Sequence, residues 1–316
     1  MESVGEGSGK LILFGEHAAV FGFPAIGISL PEQTRVAFHG PHQVSWELTS
    51  VAGQDRDIVR SLLDRLETIL PELASSEARA VRVESSVPRG MGFGSSAALC
   101  TALARAALAH VSRGQAEPDL LRAWQLAHEL ERNFHGTPSG VDTGLSLLPG
   151  LTAFKPRPPS LPAWEHLDYM PFWLVVGALL RPASSAALIR GIGERIGSGD
   201  RTAHDALSSL GRIAADAKQA FTSKAPATDI GQLADRAMTT LCSLGLSLPA
   251  LDLLLDKGRT SGALGGKLSG AGGGGAFFLV CADERTAVEV ARSVEWAGRF
   301  KSISFAVAPR VLCAGV

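Results

Sequence analysis

Cysteine is scarce in this chain, and the four residues present, Cys100, Cys242, Cys281 and Cys313, lie far apart without a CxxC pair. That spacing speaks against a disulfide framework and for reduced thiols, which places the protein in the cytoplasm. Long apolar runs are missing too. No stretch approaches the roughly 18 residues needed to cross a bilayer, and no signal-peptide pattern is present. Charge of one sign is also missing, because 30 Lys and Arg balance 31 Asp and Glu to a net −1. The basic residues are dispersed, which argues against nucleic acid or an anionic membrane as a partner and makes any anion-binding charge local. Internal repeats and low-complexity tails are absent. What is there is the composition of a compact soluble protein, with 316 residues, 46% hydrophobic and 19% charged. That length can bury a substantial core and suits one large or two modest domains.

Residues 90–98 carry the strongest local signal: Gly90-Met91-Gly92-Phe93-Gly94-Ser95-Ser96-Ala97-Ala98. Three alternating glycines follow a strand expected at Ala80–Val87, and two serines open an alanine- and leucine-rich helix. Glycines let the backbone turn sharply and come close to a ligand. The first N–H groups of a helix, with the positive end of its dipole, attract an anion. On these residues alone two readings stand side by side. One is a polyphosphate site whose serine hydroxyls serve a bound Mg²⁺; the other is a serine-capped helix after a glycine turn. Two further segments have the same character. Gly7-Ser8-Gly9-Lys10 runs into apolar Leu11–Phe14 and then Gly15-Glu16-His17. Gly265-Gly266-Lys267-Leu268-Ser269-Gly270-Ala271-Gly272-Gly273-Gly274-Gly275 runs into a strand at Ala276–Cys281.

Alternation and β-branched content predict strands at Leu11–Phe14, Thr34–Phe38, Val44–Thr49, Val81–Ser86, Trp173–Leu180 and Ser302–Val307. Helical periodicity covers Arg56–Leu70, Ser96–Val111, Asp119–Phe134, Ala203–Phe221, Asp229–Leu244, Ala250–Lys257 and Glu284–Trp296. Four prolines within Lys155–Pro162 break the pattern and predict a connection there. In the Asp119–Phe134 helix, Leu120, Trp124, Ala127, Leu130 and Phe134 share one face. Glu131 falls inside that apolar sector, about 20° from Leu120, whereas Glu129 points the other way. A carboxylate on a buried face costs several kcal/mol unless a cation or donor compensates, so Glu131 is either an ion-pair member or a metal ligand. His135-Gly136-Thr137-Pro138-Ser139-Gly140-Val141-Asp142 follows, a turn-rich segment ending in a second acid. Two carboxylates near a phosphate loop suit phosphoryl transfer, one holding Mg²⁺ and one orienting or deprotonating the attacking hydroxyl. A lone Asp in a turn is otherwise a cap. His128 and His135 have no Cys or third His to complete a metal site, and His128 reads as structural.

The three glycine-rich segments, in their order and spacing, resemble the motifs of the GHMP small-molecule kinases. Phe14–Gly22 (FGEHAAVFG), Gly92–Ala98 (GFGSSAA), His135–Asp142 (HGTPSGVD) and Lys267–Gly275 (KLSGAGGGG) together are similar to the mevalonate kinase branch. The resemblance implies an α+β, two-domain fold with the active site in the cleft between domains. Residues 1–165 would form the N-terminal domain and 166–316 the C-terminal one. It implies ATP and Mg²⁺ as cofactors, mevalonate as the small-molecule partner, and leaves room for a homodimer. Asp142 would be the catalytic base, with Lys10 the positive group that lowers the hydroxyl pKa and supports it. Gly90, Gly92, Gly94, Ser95, Ser96, Ala97, Gly270, Gly272 and Gly273 would cradle ATP. Ser96 and Glu131 would bind the metal. Glu16, His17 and Gly140 would line the acceptor end, with Lys10 and Asp142.

The chain departs from the family pattern in three places. Ser8 stands where proline is usual before Gly-Lys, Phe93 replaces leucine, and Thr143 follows Asp142 where asparagine is common. None removes the phosphate machinery, but together they bear on the identity of the acceptor. The alternatives are a kinase of the same fold acting on phosphomevalonate, the mevalonate 3-hydroxyl or a sugar, and a non-catalytic nucleotide or metabolite sensor. Retention of both Asp142 and Glu131 separates the kinases from the sensor.

Overall fold

The computed structural model describes residues 2–39, 47–49, 55–74, 80–113, 119–136, 138–157, 160–180, 185–297 and 303–307. Cys313, Thr137, Pro158, Pro159, Ser302 and the first part of the strand expected at Val44–Thr49 lie outside the described residues. The elements in chain order are β1 (Ser3–Phe14), a 3₁₀ turn (Ala19–Phe21), β2 (Ala25–His39), β3 (Glu47–Thr49), α1 (Asp55–Ile69), α2 (Pro71–Ala74), β4 (Ala80–Ser85), α3 (Ser95–Val111), α4 (Leu120–Glu131) and α5 (Val141–Leu147). There follow β5 (Leu151–Arg157), β6 (Ser160–His166), β7 (Trp173–Leu179), α6 (Ser185–Gly197), α7 (Arg201–Thr222), α8 (Ala227–Ser243), α9 (Pro249–Thr260), β8 (Gly265–Leu268), β9 (Gly275–Cys281), α10 (Glu284–Ala297) and β10 (Ile303–Val307). This is the α+β class expected from the sequence.

The chain divides into two compact units that are interleaved in sequence. One holds Met1–Lys10, Ser29–Arg89 and Gly94–Pro149; the other holds Leu11–Ile28, Gly90–Phe93 and Gly150–Val316. β1 and β2 each run from one unit into the other.

In the first unit, β4 pairs antiparallel with the second half of β2 (Thr34–His39 against Ala80–Ser85) and parallel with β3. Helices α1, α3 and α4 build the core with this sheet. Val59, Leu62, Leu63 and Leu66 recur at helical spacing on α1, and all are buried with Val36, Phe38 and Val81. Helix α3 is buried nearly all round, from Ala97 to Leu108, which is why its sequence is rich in alanine. Gly5 and Gly7 on one face of β1 let α3 approach to backbone distance. A Cβ on either residue would lie 2.2 Å from a carbonyl oxygen of the helix, at Ala102 or Ala98. On α4, Trp124, Ala127 and Leu130 are buried as the periodicity predicts, but Leu120 is 42% exposed. It occupies the first position after the Asp119 cap, where the helix has only just begun to pack.

In the second unit, the first part of β2 pairs with β5, and β5 with β6, all antiparallel. The stretch expected as a connection is therefore corrected in its described parts: Lys155–Arg157 and Ser160–Pro162 lie in the paired strands β5 and β6. Pro156 coincides with a register shift between Lys155 and Arg157, and Pro162 sits on the edge strand β6, where a missing N–H is tolerated. A second, antiparallel sheet has the order β10-β7-β9-β8. Every residue of β9 is buried, and Gly177 of β7 faces the ring of Phe277, where a Cβ would lie 2.5 Å from it. Among the described residues no helix is long and apolar enough to cross a membrane.

Candidate active site

Four of the expected residues come together within the first unit. The Lys10 side chain is almost wholly buried, and its Nζ lies 3.3 Å from Asp142 Oδ1, whose side chain is 37% exposed. Gly94 makes this possible. A Cβ there would lie 2.5 Å from Lys10 Cγ, so the lysine stem occupies the space that the glycine leaves. Gly94 also has φ 76° and serves as N-cap of α3. Gly90 and Gly92 share the left-handed conformation, at φ 67° and 88°. The N–H of Ala98 is bonded to the Gly94 carbonyl at 2.9 Å. The N–H groups of Ser95, Ser96 and Ala97 precede that first helical bond, so no carbonyl of the helix serves them. These are the N–H groups at which an anion is expected from the sequence.

Asp142 is placed by the start of α5. Gly140 takes φ 79° as its N-cap. The indole N–H of Trp124 donates to the Gly140 carbonyl at 3.1 Å and to Thr143 Oγ1 at 3.2 Å. Thr143 Oγ1 in turn donates to the Gly140 carbonyl at 3.2 Å. Thr143, one of the departures from the family pattern, is thus a buried fastening for the turn that carries Asp142. Phe93, another, is fully buried. Ser8 lies within β1.

Glu131 is 1% exposed, while Glu129 pairs with Arg65 and Arg132 at the surface. The helical phase had separated the two in this way. Ser96 Oγ donates to Glu131 Oε1 at 3.0 Å, and His135 Nε2 lies 3.5 Å from the same oxygen. Oε2 is buried without a hydrogen-bond partner. The weakly donating thiol of Cys100 also faces this carboxylate. Burial first, and the charge of Asp142 second, push the Glu131 pKa from its ordinary 4.5 up to about 8, against the pull of Ser96, Cys100 and Lys10. Burial and Glu131 together push the Cys100 thiol well up, so it stays protonated. A buried carboxylate with an orphaned oxygen, beside a serine hydroxyl, fits a divalent cation bound through hard oxygen ligands. Among the described residues no cluster of three His, Cys, Asp or Glu residues could hold a metal alone. Mg²⁺ characteristically takes one or two carboxylates and completes its shell with phosphate and water, so a site of that kind does not require such a cluster.

The second unit brings the Leu11–His17 stretch together with the C-terminal glycine-rich segment. Glu16 and Lys267 form an ion pair with side chains 1% and 0% exposed. Lys267 Nζ also donates to the carbonyls of Leu13 at 3.1 Å and Leu268 at 2.7 Å. Ser269 Oγ donates to the Ile12 carbonyl at 2.8 Å and accepts from the Ile12 N–H at 3.0 Å. His17 takes the strained φ of 58° and its Nε2 lies 3.2 Å from the Ala271 carbonyl. Of the three predicted glycines in this loop, Gly270 has open space where a Cβ would stand, while one on Gly272 would meet the Leu246 carbonyl at 2.8 Å. The Gly273 N–H is committed to that same carbonyl at 2.8 Å. Gly272 and Gly273 therefore shape the loop, and Gly270 is its accessible member. His128 is buried with Nδ1 unpartnered, and burial lowers its pKa, as a structural histidine requires.

Sequence reasoning missed Lys267, Cys100 and the Thr143–Trp124 fastening. Lys267 lies inside a motif that was read for its glycines, and its partner is 251 residues away. The available signal was a lysine bounded by residues of an otherwise fully apolar and glycine strand.

Residues 57–150 match the GHMP kinases N terminal domain, and residues 223–298 the GHMP kinases C terminal domain; together they exceed half of the chain. The chain is 27% identical over 314 residues to a mevalonate kinase of Pyrococcus abyssi, covering 92% of this chain and 91% of that protein. It is 28% identical over 315 residues to a mevalonate kinase of Thermococcus onnurineus, with 92% and 91% covered. Its fold is similar to a crystal structure of L. major mevalonate kinase in complex with R-mevalonate. That match has a TM-score of 0.79 at 21% identity over 98% of this chain and 96% of that one.

Proposed function

Since the chain belongs to the GHMP kinases, we propose that it transfers the γ-phosphoryl group of ATP to the C5 hydroxyl of mevalonate. The observation that carries the chemistry is the Lys10–Asp142 pair at 3.3 Å, beside the α3 N-terminus. The acceptor rests on the names of the relatives and on Gly15-Glu16-His17-Ala18-Ala19-Val20-Phe21-Gly22.

In this reading the Asp142 carboxylate accepts, or orients, the proton of the attacking hydroxyl. The Lys10 ammonium stabilises negative charge developing on the alkoxide. The free N–H groups of Ser95, Ser96 and Ala97 hold phosphate oxygens, aided by the positive end of α3. Gly90, Gly92 and Gly270 would belong to the loops that cradle ATP, as the family resemblance implies; a Cβ at Gly90 or Gly270 would meet nothing within 4 Å. Glu131 and Ser96 would hold Mg²⁺, which when bound screens the charge of the phosphates. Glu16, His17 and Gly140 would line the acceptor end, as the family resemblance implies. Free Cys100, Cys242 and Cys281 fit a reducing compartment such as the cytoplasm.

A coupled assay of ATP consumption over mevalonate, phosphomevalonate, galactose and homoserine tests the acceptor. Turnover with mevalonate, and NMR placing the new phosphate on the C5 oxygen, are the expected results. Turnover with phosphomevalonate or a hexose but not mevalonate would sink the proposal.

A further inference from the structure

Lys267 has no assigned part in phosphoryl transfer, yet it is the most completely buried cation described in the second unit. Its side chain is 0% exposed, and its ammonium is shared between the Glu16 carboxylate and the carbonyls of Leu13 and Leu268. The rings of Phe278 and Phe14 stand 5.3 and 5.9 Å from Nζ. Burial pulls the Lys267 pKa down and the Glu16 charge holds it up. Taking two charges fully out of water is costly, and an apolar pair of the same volume is often as stable or more so. Stability alone is therefore a weak reason for this pair, and its geometry offers a better one.

The ammonium ties three points of the chain to one another: the Leu13 carbonyl at the end of β1, the Glu16 side chain in the turn, and the Leu268 carbonyl at the end of β8. Two further links join the same two segments, Ser269 to Ile12 and His17 to Ala271. The residue that gains most is His17. It is held in the left-handed region at φ 58°, which a non-glycine residue keeps only when its surroundings enforce it. Its Nε2 faces the Ala271 carbonyl, which can only accept. Burial lowers the His17 pKa, and the Lys267 charge adds to that effect against the Ala271 bond, so the ring is neutral near pH 7. A neutral ring that donates from Nε2 has its lone pair on Nδ1.

We propose that Lys267 is a positioning residue: by clamping the Gly15–His17 turn to the glycine-rich loop, it fixes His17 in the Nε2–H tautomer and presents Nδ1 as an acceptor to a hydroxyl of the substrate. The inference rests on the mevalonate reading only for what Nδ1 meets; the tautomer and its dependence on Lys267 do not.

The test compares wild type with Lys267→Met and with the double variant Lys267→Met/Glu16→Gln. Lys267→Met leaves a carboxylate buried without its cation and unfolds at lower temperature. The double variant removes that charge and recovers most of the thermal stability. In both, KM for mevalonate rises at least tenfold while KM for ATP stays within threefold. In parallel, ¹⁵N NMR of the His17 ring at pH 8 reads the tautomer: wild type shows the Nε2–H form alone, and both variants show a mixture. A double variant that regains stability, wild-type KM and the single tautomer would make the pair merely structural and overturn the inference. A wild-type tautomer that survives in Lys267→Met would overturn it as well. If wild type fails to phosphorylate mevalonate but the tautomer shifts as described, the acceptor reading fails and the positioning role stands.

Discussion

Lys10 of β1 and Asp142 of α5 meet at 3.3 Å, the ammonium buried and the carboxylate partly open to solvent. In the proposed mechanism the buried ammonium stabilises the developing alkoxide and the more open carboxylate meets its proton. Each partner is held by a separate device. Lys10 lies in the space left by Gly94, and Asp142 follows the turn pinned by Trp124 and Thr143.

Gly94→Ala tests the first device. The new methyl would lie 2.5 Å from Lys10 Cγ, at a residue whose φ is 76°. A non-glycine residue in the left-handed region costs about 1–2 kcal/mol, to which the clash adds. We expect a folded protein with a lower urea midpoint and a kcat reduced at least tenfold, because Lys10 must move. Unchanged kcat would mean that the position of Lys10 matters little.

Thr143→Val tests the second. The substitution keeps the shape but removes the hydroxyl that bridges Trp124 and Gly140. Loss of such a buried link costs about 1–3 kcal/mol. Chemical denaturation should show that loss, accompanied by a fall in kcat larger than any change in KM for ATP. A variant as stable as wild type would show that the Trp124–Gly140 bond suffices.

Glu131→Gln addresses the metal. A neutral amide is cheaper to bury than an unpaired carboxylate, so the variant folds. Its requirement for Mg²⁺ in ATP turnover should rise steeply in a titration of the metal. Activity equal to wild type at limiting Mg²⁺ would leave Glu131 as a structural group only.

The same substitution has a consequence for pH. Glu131 titrates near 8 in the folded protein and near its ordinary 4.5 when unfolded. Below pH 4.5 both states hold the proton and the group costs nothing. As pH rises from there the unfolded chain releases its proton first, so stability falls until the folded group also ionises. A shift of this size corresponds to an upper bound on the order of 4–5 kcal/mol. Metal-free wild type should lose stability between pH 5 and 8 relative to Glu131→Gln, measured by denaturant unfolding in EDTA. Parallel curves for the two proteins would contradict the assignment.

Much of this site is legible in the sequence, for reasons that particular residues make clear. Helical phase alone separates buried Glu131 from half-buried Glu129, because both lie on one regular helix and need only its period. The sharp turns that the alternating glycines allow are seen as positive φ at Gly90, Gly92 and Gly94. The features that escaped are those without a local signature. Lys267 and Glu16 become a pair only through tertiary structure. The β5–β6 pairing is hidden by prolines that a register shift and an edge strand accommodate. Helix α5 spans seven residues, too short for a periodic pattern, and its start depends on a tryptophan from α4.

The most direct test of the phosphoryl-transfer account is the steady-state kcat of Asp142→Asn, measured alongside binding of an ATP analogue. The amide preserves size but removes the proton acceptor and the charge facing Lys10. General-base catalysis contributes on the order of 10²–10⁴-fold, so kcat should fall by that much or more. Nucleotide affinity should stay within a few-fold of wild type, since the donors at the start of α3 are untouched. A variant keeping more than about a tenth of the wild-type kcat, far short of that span, would contradict the assignment of Asp142 to the chemical step.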